Sequence, residues 1–177
     1  VVQGPEHGVR TCELFRSAAV TRAVHARLRA TALSGVPSVT HGDVVDLCLQ
    51  KGGTRVYVYG GFLRDLVVGA TVDDMDFLFR SSGGSVVPYL ERLGEARGWQ
   101  PYRKRDERDG VERWDFISLG DRGEADGGRK FTGHPLYAGC EGEFACNSLL
   151  YDVASGVLID PTGVGRLDAA NCSLRIP

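Results

Sequence analysis

The chain has 177 residues, of which 42% are hydrophobic and 25% charged, the balance of a globular domain large enough to bury a core. Its 21 basic and 23 acidic residues leave a net charge of −2, which excludes binding to nucleic acid through the bulk field of the protein; any such contact has to come from a local patch. No apolar run reaches the roughly 18 residues that a membrane-spanning helix needs, so no membrane partner is expected.

Glycine is used 24 times, about twice the usual ~7%, which predicts many turns. The five cysteines, Cys12, Cys48, Cys140, Cys146 and Cys172, show no C-x-x-C pair and suggest neither zinc nor a disulfide framework. Cys48 and Cys146 sit in apolar runs and read as reduced core thiols, as in a reducing, intracellular compartment; cytoplasm and mitochondrion stay open. The first residue is Val1, as in a fragment or a processed product. Arg10 to Leu33 is rich in arginine and poor in acids, a pattern shared by an ordinary first helix and by an organelle transit peptide; the helix is the favoured reading.

Along the chain, Val20, Val24 and Leu28 recur at i, i+4 and i+8 and predict a helix from about Cys12 to Leu33. Gly35-Val36-Pro37 breaks it, and Thr40 to Asp43 has capping-box spacing for a second helix ending at Gly52-Gly53. Val56 to Tyr59 predicts a buried strand, Phe62 to Val68 a short helix closed by Gly69, and Met75 to Phe79 a second strand. A third helix is expected from Val86 to near Gly98, further strands over Trp99 to Tyr102 and Val111 to Leu119, and an aperiodic polar segment from Gly120 to Gly133. Phe144 to Tyr151 and Val157 to Ile159 read as strands around a turn at Ala154-Ser155-Gly156, and Pro161-Thr162-Gly163 turns the chain again. The expected organisation is an N-terminal helical segment, 1–39, packed as one compact unit with a domain over 40–177.

Two features carry chemistry. Asp74 and Asp76 are two apart on a predicted strand, so period two puts both carboxylates on one face and Met75 and Phe77 on the other. Paired hard oxygen ligands suit Mg²⁺, which would bridge triphosphate oxygens and acidify an attacking hydroxyl. Gly60-Gly61 lets the backbone approach a phosphate, with the N–H groups of the next helix facing the anion. Taken singly, each is equally an acidic turn or a plain strand-to-helix turn.

Their combination is more specific. Gly60-Gly61, a spacer of 12 residues, then Asp74-Met75-Asp76-Phe77 resembles the signature of polymerase-β-like nucleotidyltransferases. Arg64-Asp65 and Gly69 narrow the match: the run from Gly60 to Gly69, with Asp74 to Phe77, resembles the class II branch, CCA-adding tRNA nucleotidyltransferases and bacterial poly(A) polymerases. A second block, Glu143 to Asp152 followed by Gly156 to Gly163, is similar to the family's R-R-D-F-T-I-N-A-L and G-x-L-I-D-P-F-G segments. The resemblance covers about residues 40–177, the catalytic head.

It implies an α+β fold with a mixed central sheet of about five strands flanked by helices. It implies that Gly60 and Gly61 hold the triphosphate, that Asp74 and Asp76 bind two Mg²⁺ ions, that Arg64 and Asp65 shape the nucleotide pocket, and that Asn147 lines the sugar side. A third carboxylate, acting on the incoming 3′-hydroxyl, is expected at Asp115, with Glu112 behind it. The implied reaction is attack of the 3′-hydroxyl of a tRNA-like RNA on the α-phosphate of CTP or ATP, with release of pyrophosphate. Arg103, Lys104 and Arg105, with Arg108, form the basic cluster that could touch RNA phosphates, although Asp106, Glu107 and Asp109 offset it.

The sequence departs from the family in three places. Glu141-Gly142 stands where the family has paired arginines, with Glu143 and Ala145 for its Asp and Thr, which should weaken triphosphate binding unless Arg129 or Lys130 substitutes. The E-D-x-x-R motif that selects the base in the family's neck domain is absent, so either a neck lies beyond Pro177 or the head stands alone. The Gly120 to Gly133 stretch is longer than the family pattern needs. Two readings therefore remain beside a less favoured small-molecule transferase: an active RNA nucleotidyltransferase, which the retained Asp74 and Asp76 favour, or a degenerate member serving as a structural or RNA-binding subunit of an RNA–protein assembly.

Overall fold

The computed structural model describes residues 12–33, 36–72, 75–81, 92, 94–96, 116–118 and 144–175. Its central feature is a mixed six-stranded sheet made of β1 (Glu13–Phe15), β4 (Thr54–Tyr59), β5 (Asp76–Ser81), β6 (Phe116–Ser118), β7 (Leu150–Asp152) and β8 (Val157–Asp160), in the order β1-β8-β7-β4-β5-β6. Every pairing is antiparallel except β5 with β6. A separate ribbon pairs β2 (Ala32–Leu33) with β3 (Val36–Thr40). Helices α1 (Ala18–Ala30), α2 (His41–Gln50), α3 (Gly61–Val68) and α4 (Gly165–Ala170) complete the described elements, with a 3₁₀ turn at Ala145–Asn147. This is the α+β arrangement expected, with one strand more than anticipated.

The stripe on α1 is the predicted one: Val20, Val24 and Leu28 are its buried residues. They join Val44, Val45 and Cys48 of α2, Phe62 and Leu63 of α3, and Val56, Val58, Phe77, Tyr151 and Leu158 of the sheet in one core. Burying each large aliphatic side chain there stabilises the fold by about 1.5–3 kcal/mol. Burial pushes the Cys48 thiol up to about 12, which keeps it protonated. Thr40 caps α2 as its spacing predicts: Asp43 N–H donates to Thr40 Oγ1 at 3.2 Å, and Thr40 N–H donates to Asp43 Oδ2 at 2.7 Å. No helix among the described residues is long and apolar enough to cross a membrane.

Three local expectations are corrected. The first helix does not begin at Cys12; Glu13–Phe15 is an edge strand paired with β8, and Ser17 caps α1 by accepting from Val20 N–H at 3.3 Å. That helix ends at Ala30 rather than near Leu33, since Ala32–Leu33 pairs with β3, which starts inside the expected breaker at Val36; Pro37 is tolerated because this ribbon has only two strands. The apolar run from Phe144 is not a continuous strand: a 3₁₀ turn precedes β7. Of the expected third helix, Arg92 and 94–96 are helical, and the expected strand over Val111 to Leu119 is present at Phe116–Ser118. The strand expected at Trp99 to Tyr102 and the segment from Gly120 to Gly133 lie outside the described residues.

Candidate functional site

The site is built where β4 gives way to α3. Gly60 adopts φ +81° and ψ −147°, which an L side chain rarely does. Its N–H donates to Leu149 C=O at 3.3 Å, tying the turn to the segment before β7, and its C=O accepts from Leu63 and Arg64 N–H at 3.1 and 3.3 Å. The other end of α3 closes as predicted, with Gly69 at φ +73° donating to Leu66 C=O and Ala70 donating to Asp65 C=O.

Asp76 lies directly across from Tyr59 in the β4–β5 register, so the strand pairing brings its carboxylate to the glycine turn. Its Oδ2 stands 3.5 Å from the point a Gly60 β-carbon would occupy. Met75 and Phe77, to either side, are buried, and the Phe77 ring meets the edge of His41 at 5.6 Å. Asp76 is therefore anchored by core residues on one face of β5 while its own side chain lies beside the turn.

Arg64 folds back over the first turn of α3, where the absent side chain of Gly61 gives it room; its Nη2 lies 3.5 Å from the position of a Gly61 β-carbon. Its Nε and Nη2 donate to the two carboxylate oxygens of Asp65 at 2.6 and 2.9 Å, a bidentate pair. Its Nη1 donates to Asn147 Oδ1 at 2.8 Å. The hydrogen bond to Asp65 is the main cause that raises the pKa of the guanidinium, so Arg64 stays cationic.

Asn147 owes its place to a lattice of hydrogen bonds that motif spacing does not reveal. In the 3₁₀ turn, Asn147 N–H donates to Phe144 C=O and Ser148 N–H to Ala145 C=O, while Ala145 N–H donates to Arg175 C=O at 2.7 Å. Gly165 packs on this turn so closely that a β-carbon there would collide with Ala145 C=O. Asp160, fully buried, fixes α4: its Oδ1 accepts from Thr162 N–H, Thr162 Oγ1–H and Gly163 N–H at 3.1, 2.8 and 3.0 Å, and its Oδ2 accepts from Arg166 N–H at 2.9 Å. Asp160 and Gly165 are positioning residues that the sequence reading passed over; the D-x-T-G spacing from Asp160 to Gly163, which suits a carboxylate receiving two turn N–H groups, was the available signal. Arg175 Nη2 lies 2.9 Å from Asp168 Oδ1, a charge contact whose angle falls outside hydrogen-bond geometry.

The structure thus brings Gly60, Gly61, Arg64, Asp65, Asp76 and Asn147 together. Asp74, Asp115, Arg103, Lys104 and Arg105 lie outside the described residues, as do Glu141-Gly142, Arg129 and Lys130. Among the described residues no group of three His, Cys, Asp or Glu side chains is placed to hold a metal ion. Asp76 presents a carboxylate, a hard oxygen donor of the kind Mg²⁺ takes, beside the glycine turn.

The chain shares its fold with part of solved CCA-adding and tRNA-processing enzymes. The chain is similar to a tRNA-processing enzyme in an apo form (TM-score 0.53, 21% identity, 76% of this chain and 34% of that one). It is also similar to a tRNA nucleotidyltransferase complexed with a primer tRNA and an incoming ATP analog (TM-score 0.51, 22% identity, 75% and 38%). A CCA-adding enzyme in an apo form is similar at TM-score 0.50 and 21% identity, over 75% of this chain and 31% of that one. The chain spans about a third of the length of these structures. No protein-family profile and no curated protein sequence matches it.

Proposed function

We propose that the chain is the catalytic head of a class II RNA nucleotidyltransferase, which joins CMP or AMP from the triphosphate to the 3′-hydroxyl of a tRNA-like RNA. One observation carries this reading: the Arg64–Asn147 hydrogen bond closes the second sequence block onto the Gly60-Gly61 turn, on which Asp76 also converges. Four parts that the resemblance assigns to one nucleotide pocket are thereby neighbours.

In this reading Gly60, Gly61 and the first N–H groups of α3 receive the triphosphate, where the helix dipole favours negative charge. Asp65 orients the Arg64 guanidinium, which in turn orients Asn147 toward the nucleotide sugar. Asp76, with Asp74, would hold Mg²⁺, and bound there the ions supply charge neutralisation and an acidified 3′-hydroxyl. Asp115 takes the proton of that hydroxyl. The new bond runs from the RNA 3′-oxygen to the α-phosphorus, and the bond to pyrophosphate breaks.

Incorporation of labelled CTP or ATP into tRNA and oligo(A) with Mg²⁺, beside Asp74→Ala and Asp76→Ala, tests the reading. Incorporation that both substitutions abolish is the expected result. Absence of incorporation together with absence of Mg²⁺-dependent triphosphate binding would sink it. The second reading, a subunit of an RNA–protein assembly that has kept the fold without turnover, is favoured by one observation: Glu141-Gly142 replaces the arginine pair, while Arg64 already spends three N–H groups inside the protein. It predicts RNA binding that survives Asp76→Ala.

A further inference from the structure

Asp168 lies in α4 with no surface exposed, and neither of its carboxylate oxygens accepts a hydrogen bond. A buried carboxylate without donors is costly unless a cation answers it, and an apolar side chain would fill the same space without that cost. Among the described residues the cation that reaches it is Arg175, whose Nη2 lies 2.9 Å from Oδ1 while the rest of its side chain is 54% exposed. The acid at position 168 is therefore explained by the segment it holds, not by the helix that carries it.

Asp168 grips that segment at two points. After α4 the chain reverses through Cys172, at φ +52°, a left-handed position that glycine usually fills. Cys172 N–H donates to Ala169 C=O at 3.2 Å and Ser173 N–H to Asp168 C=O at 2.8 Å, the paired bonds of a Schellman motif. The backbone of Asp168 thus takes hold of residue 173, and its side chain takes hold of residue 175. Leu174, between them, is 68% exposed, so apolar burial does not fix the segment.

What the segment delivers is a carbonyl. The first N–H of a 3₁₀ turn has no acceptor within the turn, and here Ala145 N–H donates to Arg175 C=O at 2.7 Å. Two residues on, Asn147 Oδ1 accepts from Arg64 Nη1 at 2.8 Å. Contacts therefore run without a break from Asp168 through Arg175 and the turn to Arg64. We infer that Asp168 and Arg175 are positioning residues for Asn147: their ion pair keeps Arg175 C=O on the 3₁₀ turn, and the turn aims the Asn147 carboxamide at Arg64. The effect on nucleotide binding rests on the nucleotidyltransferase reading; the placement of Asn147 does not.

Arg175→Ala in the whole chain tests this, since its largely exposed side chain can be removed without opening the core. Hydrogen exchange of the Ala145 amide and the NMR signals of the Asn147 side-chain amide are measured without nucleotide. The dissociation constants of Mg²⁺·ATP and Mg²⁺·CTP are measured by calorimetry, at a temperature where variant and unsubstituted chain are both fully folded. In Arg175→Ala the Ala145 amide exchanges about tenfold faster or more, as a locally opened turn does. The Asn147 signals move toward their positions in Arg64→Ala. The dissociation constants rise about threefold or more, the size of coupling within one bonded network. Asp168→Asn gives the same pattern, Arg175→Lys, which keeps a charge facing Asp168, recovers most of each change, and Leu174→Ala changes none. A merely structural pair would lower the melting temperature of Arg175→Ala and leave the Asn147 signals where they were, and that result overturns the inference. So does a change in Arg175→Lys as large as that in Arg175→Ala, or an unaltered dissociation constant in a chain that binds nucleotide. If the unsubstituted chain binds neither triphosphate, the nucleotidyltransferase reading falls, while the measurements at Ala145 and Asn147 still decide the placement.

Discussion

Arg64 donates to Asn147 across 83 positions of sequence at 2.8 Å, and this one bond joins the glycine-turn block of the chain to the block that precedes β7. Its donor is held by Asp65 through two further bonds, so all three guanidinium nitrogens are engaged. Arg64→Lys keeps the charge but cannot bridge Asp65 and Asn147 together. Triphosphate affinity is expected to fall about tenfold or more, as for loss of a charge-assisted hydrogen bond. Calorimetric titration of the triphosphate measures it, and a double-substitution cycle of Arg64→Ala with Asn147→Ala should show coupling of about 0.5–3 kcal/mol.

Gly165→Ala should destabilise the fold although nothing about position 165 looks special in sequence. The new methyl group would meet backbone, the Ala145 carbonyl, rather than a side chain able to move aside. A cost of about 1–3 kcal/mol follows from overpacking, and a fall of several degrees in melting temperature. Gly52→Ala is the control: no atom lies within 4 Å of the new methyl group there, and φ is not positive, so stability should hold or rise slightly.

Asp160→Asn replaces one acceptor oxygen by an N–H₂ group that must face either the Thr162–Gly163 turn or Arg166 N–H. Each of these is a donor, so one buried contact becomes donor against donor. A loss of about 1–3 kcal/mol in urea unfolding is expected, with a parallel loss of triphosphate affinity because α4 supports the Asn147 turn.

Acid stability should show the signature of His41. Burial first, and the charge of Arg27 second, lower its imidazole from the ordinary value of 6.5 to about 4. Below about pH 6.5 the unfolded chain therefore takes up a proton that the folded chain refuses. Stability is complete above that pH, declines as pH falls, and levels near pH 4. Because the ring is partly exposed, the loss should be about 1–2 kcal/mol rather than the full shift. Urea midpoints from pH 7 to 4 measure the slope, which His41→Gln should flatten. Asp43, held below the carboxylate range by the Thr40 backbone N–H, adds its own loss only at still lower pH.

The parts of the fold that were legible in sequence are those set by local chemistry. Gly60, Gly69 and the Thr40–Asp43 cap each follow from one or two residues satisfying their own backbone, and all stand where the spacing put them. The parts that were not legible depend on distant partners. Glu13–Phe15 is a strand only because β8 offers it an edge, so its sequence reads as the lead-in to a helix. Ala145–Asn147 looks like strand, but Gly165 and Arg175 hold it as a turn. The glycine turn and Asp76 were named from spacing, whereas the bond that joins Arg64 to Asn147 had no sequence signal beyond the presence of both residues.

The Ala145–Arg175 backbone bond gives the site a mechanical address. Arg175 is the last described residue, and its carbonyl is pinned to the turn that presents Asn147. A displacement of the polypeptide beyond that point is passed first to Ala145, then through Cys146 to the Asn147 amide that meets Arg64. Tension or rotation applied at the C-terminal end is thereby directed to the Asn147–Arg64 bond before it reaches the glycine turn.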